Sequence, residues 1–120
     1  MAWIGMVLVA VVAVEHIYIL ILEMGMWTSP RARKIFGTTE KFAEESKALA
    51  ANQGLYNGFL AAGLIWGLVH PASAFGHQLQ IFFLACVLTA AAYGGATAKR
   101  SILVTQGLPA LLALAAVLFL

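Results

Sequence analysis

From Ala2 to Trp27 the chain is apolar without a break, except for three ionisable side chains, Glu15, His16 and Glu23. At about 1.5 Å per residue, a helix of roughly 20 apolar residues crosses the hydrocarbon core of a bilayer. Burying such a run inside a soluble domain takes polar sequence that this chain lacks. Of its 120 residues, 62% are hydrophobic and 10% charged, whereas about 25% charged is usual for soluble domains. The sequence reads as a membrane protein with room for one domain and four spans. No basic residue precedes the first run and no small-residue cleavage pattern ends it, so it is read as a transmembrane helix, not as a removed signal peptide.

Four spans are expected, at about residues 2–27, 40–69, 78–98 and 101–120. The fold class is all-α: a polytopic four-transmembrane-helix bundle, with a short cytoplasmic helical segment between helices one and two. Trp27 suits the interfacial belt. Composition then changes, because Thr28 to Lys47 holds five of the seven basic residues together with Glu40, Glu44 and Glu45. Within it, Ser29 is placed to cap a short helix, Pro30 to open it and Gly37 to stop it. A second start at Thr39 runs into helix two, where Lys41 and Glu45 are spaced to pair. His70-Pro71 and the polar link through His77 turn the chain back. Pro109 is expected to kink helix four or free one of its carbonyls.

All seven Lys and Arg residues fall in the first and third connections. The positive-inside rule then places both basic connections in the cytoplasm and both termini outside a bacterial inner membrane. The net charge of +2 is accounted for by this asymmetry and leaves nothing for a nucleic-acid partner to explain.

Ionisable groups at bilayer depth cost about 2.5–3.5 kcal/mol each on insertion scales, so they persist where they face a bundle interior, a cavity or a partner. At about 100° per residue, Glu15, His16, Ile19, Glu23, Met26 and Trp27 share an arc of roughly 120°, with Val7, Ala10, Val14, Ile17 and Ile21 opposite. The first face is expected to look inward. Helix two offers Asn52, Gln53, Tyr56 and Asn57 on one side. Helix three offers a stripe of Gln78, Phe82, Cys86, Thr89, Tyr93 and Thr97, and helix four adds Thr105 and Gln106. Depth places Glu15 and His16 near the midplane, and Glu23, Asn52, Gln53, Tyr93 and Gln106 about 7–15 Å toward the cytoplasm. The candidate site is a polar cavity in the cytoplasmic half, binding a ligand or proton through Glu15, His16, Glu23, Asn52, Gln53, Tyr56, Asn57, Tyr93 and Gln106. The bland alternative is an interhelical hydrogen-bond network, at about 0.6 kcal/mol per bond. It serves the amides well and a midplane acid poorly.

Metal binding fits less well. Glu15, His16 and Glu23 do not reproduce the Glu-x-x-His spacing of di-metal bundles, and His70 and His77 fall at the other end of the helices, so no metal ligands are assigned. No cofactor motif is evident. Nucleophile elbow, phosphate-cradling glycine loop and Cys-x-x-Cys are all missing, so no catalytic residue is assigned and an enzyme is not favoured. Cys86 stands alone and reads as a packed apolar side chain. Beyond the lipid bilayer, the expected partners are a small-molecule ligand and a second copy, packed through Gly54/Gly58 or Gly63/Gly67.

The segments EHIYILILEMGMWTSPRARKIFG, ANQGLYNGFLAAGLIWGL and AAYGGATAKRSILVTQGLPA resemble a family of small bacterial integral membrane proteins known only as domain of unknown function 1304. The resemblance covers nearly the whole chain. It implies a four-helix membrane protein and carries no reaction, ligand or partner, so it transfers no role to Glu15, His16, Asn52, Gln53 or Asn57. In architecture the chain is also similar to the small multidrug exporters, with four helices and a Glu in the first. The charged first connection and NQGLYNG have no counterpart there, and no exporter residue is carried over.

Three functions compete. The first is a small transporter, dimeric, in which Glu15 exchanges a proton for a small cationic or polar solute. The second is a membrane-embedded binding protein or enzyme for a lipid-like or quinone-like ligand, with Glu15 and His16 as acid and base and the helix-two amides orienting the head group. The third is a structural or accessory subunit without a ligand. They rank in that order.

Overall fold

The computed structural model describes residues 1–120. The protein is helical and has no strands: α1 (Ala2–Gly25), α2 (Pro30–Phe36), α3 (Glu40–Val69), α4 (Ser73–Thr97) and α5 (Leu108–Phe119), with a π-helical turn at Leu103–Gly107 leading into α5. Two helices, α1 and α4, are long and apolar enough to cross a membrane. Only 33% of the α1 span and 28% of the α4 span is buried inside the protein, whereas the core helix of a soluble domain is mostly covered. Trp3, Val14, Phe82 and Phe119 are among the large apolar side chains left on the outside, a surface suited to lipid and poorly suited to water.

The chain divides into two compact units, residues 16–59 and residues 1–15 with 60–120. In the larger unit, four helices contribute to one core: Val9, Val12 and Ala13 from α1, Leu64 from α3, Leu84 and Val87 from α4, and Ala110 and Ala113 from α5. Backbones approach closely. A Cβ built on Gly76 would lie 2.6 Å from the Gly67 carbonyl, and one on Gly67 would lie 3.0 Å from the Gly76 carbonyl. This crossing explains a difference from the sequence reading, in which the fourth element's first turn, Ser73 to His77, is a polar link. Gly76 is a buried helical residue seated on α3, so the helix starts at Ser73, five residues early.

In the smaller unit the local signals behave as their chemistry dictates. Ser29 accepts from the Ala32 amide at 3.2 Å, Pro30 opens α2, and Gly37 closes it in the left-handed region at φ 71°. Thr39 caps α3 by accepting from the Phe42 amide at 3.1 Å. Lys41 and Glu45 are both exposed, and the ion pair in this turn is Lys47–Glu44 at 3.3 Å. Along α1, His16, Ile19 and Leu22 are buried while Val7, Val14, Ile17 and Ile21 are exposed, so the expected inward face does look inward.

Proline has no amide hydrogen to give and its ring crowds the preceding turn. Before Pro109 the helix widens: the Leu108 amide reaches back to the Leu103 carbonyl, and Thr105 Oγ1 donates to the Ser101 carbonyl at 2.9 Å. The expected kink takes the form of a π turn.

The Gly67–Gly76 crossing yields a stability prediction. Gly76→Ala drives a methyl into the α3 backbone and is expected to destabilise the protein by about 1–3 kcal/mol. Gly25→Ala, where an added Cβ meets nothing within 4 Å, should stay within about 0.5 kcal/mol. Unfolding by denaturing detergent, followed by far-UV circular dichroism, compares the two.

Candidate functional site

The densest polar arrangement among the candidate residues lies in the smaller unit, where the second half of α1 runs beside the first half of α3. Glycines set the spacing. A Cβ on Gly54 would meet Met24 Cγ at 2.7 Å, Glu23 Cβ at 3.0 Å and the Leu20 carbonyl at 3.2 Å, and one on Gly58 would meet Leu20 Cδ1 at 2.6 Å. Between these two contacts Asn57 Nδ2 donates to Glu23 Oε1 at 2.6 Å, and also to its own helix at the Gln53 carbonyl, 3.2 Å away. Both amide protons are thereby committed to acceptors.

Such a pair has definite chemistry. As a carboxylate, Glu23 accepts from the amide nitrogen; as a neutral acid, it can donate to the amide oxygen once Asn57 turns over. Glu23 is half-buried, so a bound cation or proton would be sheltered but not sealed off.

Aromatic contacts brace this end of the unit. Trp27 Nε1 donates to Ser46 Oγ at 3.0 Å, Ser46 Oγ donates on to the Phe42 carbonyl at 2.6 Å, and the Trp27 and Phe36 rings lie 4.9 Å apart. Arg31 Nε donates to Tyr18 Oη at 2.9 Å, with the guanidinium 5.7 Å from the ring centre. Ala32 of α2 and Ala43 of α3 are fully buried, and of the basic side chains of α2, Arg31 and Lys34 are exposed while Arg33 is half-buried, its Nε donating to the Thr28 carbonyl at 3.3 Å. Trp27, read from sequence as an interfacial ring, also ties α1 to α3.

The remaining candidates are spread more widely. His16 is buried to 1% exposure and Glu15 is half-buried. Asn52, Gln53 and Tyr56 lie on the exposed side of α3, with Tyr56 edge-on to Phe59 at 5.7 Å. In the larger unit Tyr93 is 71% exposed, and the α4 stripe of Gln78, Phe82, Thr89 and Tyr93 faces outward; Gln106 is half-buried within the π turn. The inward face of α4 is instead Gly76, Gln80, Leu84, Val87, Ala91 and Gly95. Gln80 is the polar residue that sequence reasoning missed. Its signal was the small residues sharing its register, Gly76, Ala91 and Gly95.

Both glycine pairs expected to join copies are occupied within the chain: Gly54 and Gly58 by α1, Gly63 by the Phe83 ring and Gly67 by Gln80 and Gly76. Other surfaces are left for contact between copies.

A double-mutant cycle of Glu23→Ala and Asn57→Ala should return a coupling of about 1 kcal/mol in unfolding free energy. Additive losses would mean that the bond contributes nothing to stability.

A family model described as a protein of unknown function (DUF1304) matches residues 10–118. The uncharacterized protein YpaA of Lactococcus lactis subsp. lactis (strain IL1403) is 34% identical over 112 residues, which cover 90% of this chain and 91% of that protein. No solved structure matches.

Proposed function

We propose that this chain, which belongs to the DUF1304 family of proteins of unknown function, is a four-span protein of the bacterial inner membrane that exchanges protons for a small cationic or polar solute. The observation that carries this reading is the Glu23–Asn57 hydrogen bond of 2.6 Å between α1 and α3. A half-buried carboxyl whose single partner can either donate or accept is suited to hold a proton in one state and a cation in another. Glu15, one helix face with His16 and Glu23 by sequence, is the second carboxyl that this exchange would draw on.

The spans would be α1, the apolar part of α3 beyond Ala48, α4, and the π turn with α5. Lys and Arg cluster at the first and third connections, which favours a cytoplasmic position for both and an outside position for the termini and the α3–α4 turn. Four helices leave little room for a private pathway, so two copies together belong to this reading.

Two experiments test it. In vesicles holding the purified protein and a pH-sensitive dye, a panel of small organic cations should include one that drives proton movement. Glu23→Gln should lower that movement at least tenfold with ellipticity retained, and Glu15→Gln reports the contribution of the other carboxyl. Solute-driven proton flux that is unchanged in both variants would end the proposal. For topology, Lys34→Cys and Arg100→Cys in a Cys86→Ser background should react with an impermeant maleimide only from the cytoplasmic side, and Ser73→Cys only from outside. Labelling of all three from one side would dismiss the four-span arrangement.

A further inference from the structure

A second polar site lies in the larger unit, apart from the Glu23–Asn57 pair and independent of any transport reading. A cavity of about 330 Å³ opens at the end of the unit that carries the α3–α4 turn. That volume is at the lower end of the range for small-molecule sites, about 300–1,000 Å³. Along its wall α4 presents Ser73, His77 and Gln80, which at i, i+4 and i+7 share one helix face. His70 completes the polar part, and the rest of the wall, Gly5 and Gly67 included, is apolar or glycine.

Hydrogen bonding leaves this wall with unused capacity. Gln80, 9% exposed, donates through Nε2 to the Gly67 carbonyl at 3.0 Å, and no protein donor reaches its Oε1. His77 Nε2 lies 2.9 Å from the Val117 carbonyl. A carbonyl only accepts, so this nitrogen carries the proton, and in the neutral ring Nδ1 is a free acceptor. His70 Nδ1 lies 3.0 Å from the Ala72 amide nitrogen and 3.2 Å from the Ala72 carbonyl oxygen, so this nitrogen is engaged with the α3–α4 turn and Nε2 is left to the cavity. Ser73 adds a hydroxyl that works in either direction. The amide oxygen of Gln80 is an acceptor that a ligand hydroxyl could use.

Charge narrows the ligand further. No Lys, Arg, Asp or Glu side chain lines the cavity, so no side chain of fixed charge is placed to balance a phosphate or an ammonium group. We infer that this cavity binds the hydroxyl-bearing head of a neutral amphiphile, with one hydroxyl donating to Gln80 Oε1, a second, where the head carries one, to His77 Nδ1, and the apolar body lying along Gly5 and Val117. Two sources carry this chemistry: acylglycerols and quinols.

The test uses the full chain in lipid nanodiscs with a diazirine-bearing 1-monooleoylglycerol as probe. After photolysis, peptide mapping should place the label on residues 67–80 and 116–120. Excess unlabelled 1-monooleoylglycerol that removes this labelling assigns an acylglycerol. Removal by a short-chain menaquinol instead assigns a quinol, and either result supports the site. Methyl oleate, which lacks a hydroxyl, should compete at least tenfold more weakly than the effective ligand. Gln80→Met, which keeps the side-chain length and loses the amide, should lower labelling about tenfold with ellipticity unchanged. Label concentrated on the outward face of α4 around Phe82 and Tyr93, or competition by methyl oleate equal to that of the hydroxylated lipids, would overturn the proposal. Mapping on the unaltered chain decides the question even if Gln80→Met does not fold.

Discussion

Close approach of helix backbones is the constraint on which the rest of this protein depends. Where the outer faces of helices are as apolar as the inner ones, hydrophobic drive does little to select how they meet, and association rests on packing and on bonds between helices. α3 meets that requirement with four glycines, Gly54, Gly58, Gly63 and Gly67, each facing a neighbour that a Cβ would crowd. Each interior glycine costs a helix about 1 kcal/mol relative to alanine. The α3 sequence carries that cost along the whole stretch in which it is packed.

Polar contacts follow from this packing. Asn57 reaches Glu23 because Gly54 and Gly58, on either side of it, admit Leu20 and Met24 of α1. Gln80 reaches the Gly67 carbonyl because Gly67 and Gly76 let α3 and α4 cross almost backbone to backbone. An amide side chain is short, and side-chain-sized gaps between these helices would leave both hydrogen bonds unmade. The glycines therefore position two polar contacts as well as the helices that carry them.

Features that rest on local chemistry were legible in the sequence. Ser29, Pro30, Gly37 and Thr39 act where their backbone preferences put them, and the inward face of α1 follows from the spacing of Glu15, His16 and Glu23. The phase of α4 was not legible. Its polar residues mark one stripe and its small residues another, and packing followed the small ones, leaving Tyr93 and Thr89 outside and Gln80 inside. Polarity predicts burial poorly when the exterior is itself apolar, since a tyrosine or threonine there gives up little by facing outward. The start of α4 was hidden for a related reason: Ser73 to His77 looks like a turn until Gly76 is seen against α3. Of the candidate site, the Glu23–Asn57 partnership joined two residues picked out separately, but no periodicity argument named them as a pair.

The widened turn before Pro109 also sets the rotational phase of everything after it. Ile102 packs against Gly94 and Gly107 packs against Ala91, so two residues five apart both face α4, which an α-helix would hold about 140° apart. The extra residue absorbed by the turn lets Ala110, Ala113 and Ala116 continue that same face. In evolutionary terms the turn behaves as a tolerated single-residue insertion. Wound as a continuous α-helix with the same number of residues, this stretch would turn the last helix by about 100°, presenting leucines where α4 now meets alanines. Losing one residue together with the widening would leave the alanine face in phase, so the extra residue and the π turn go together.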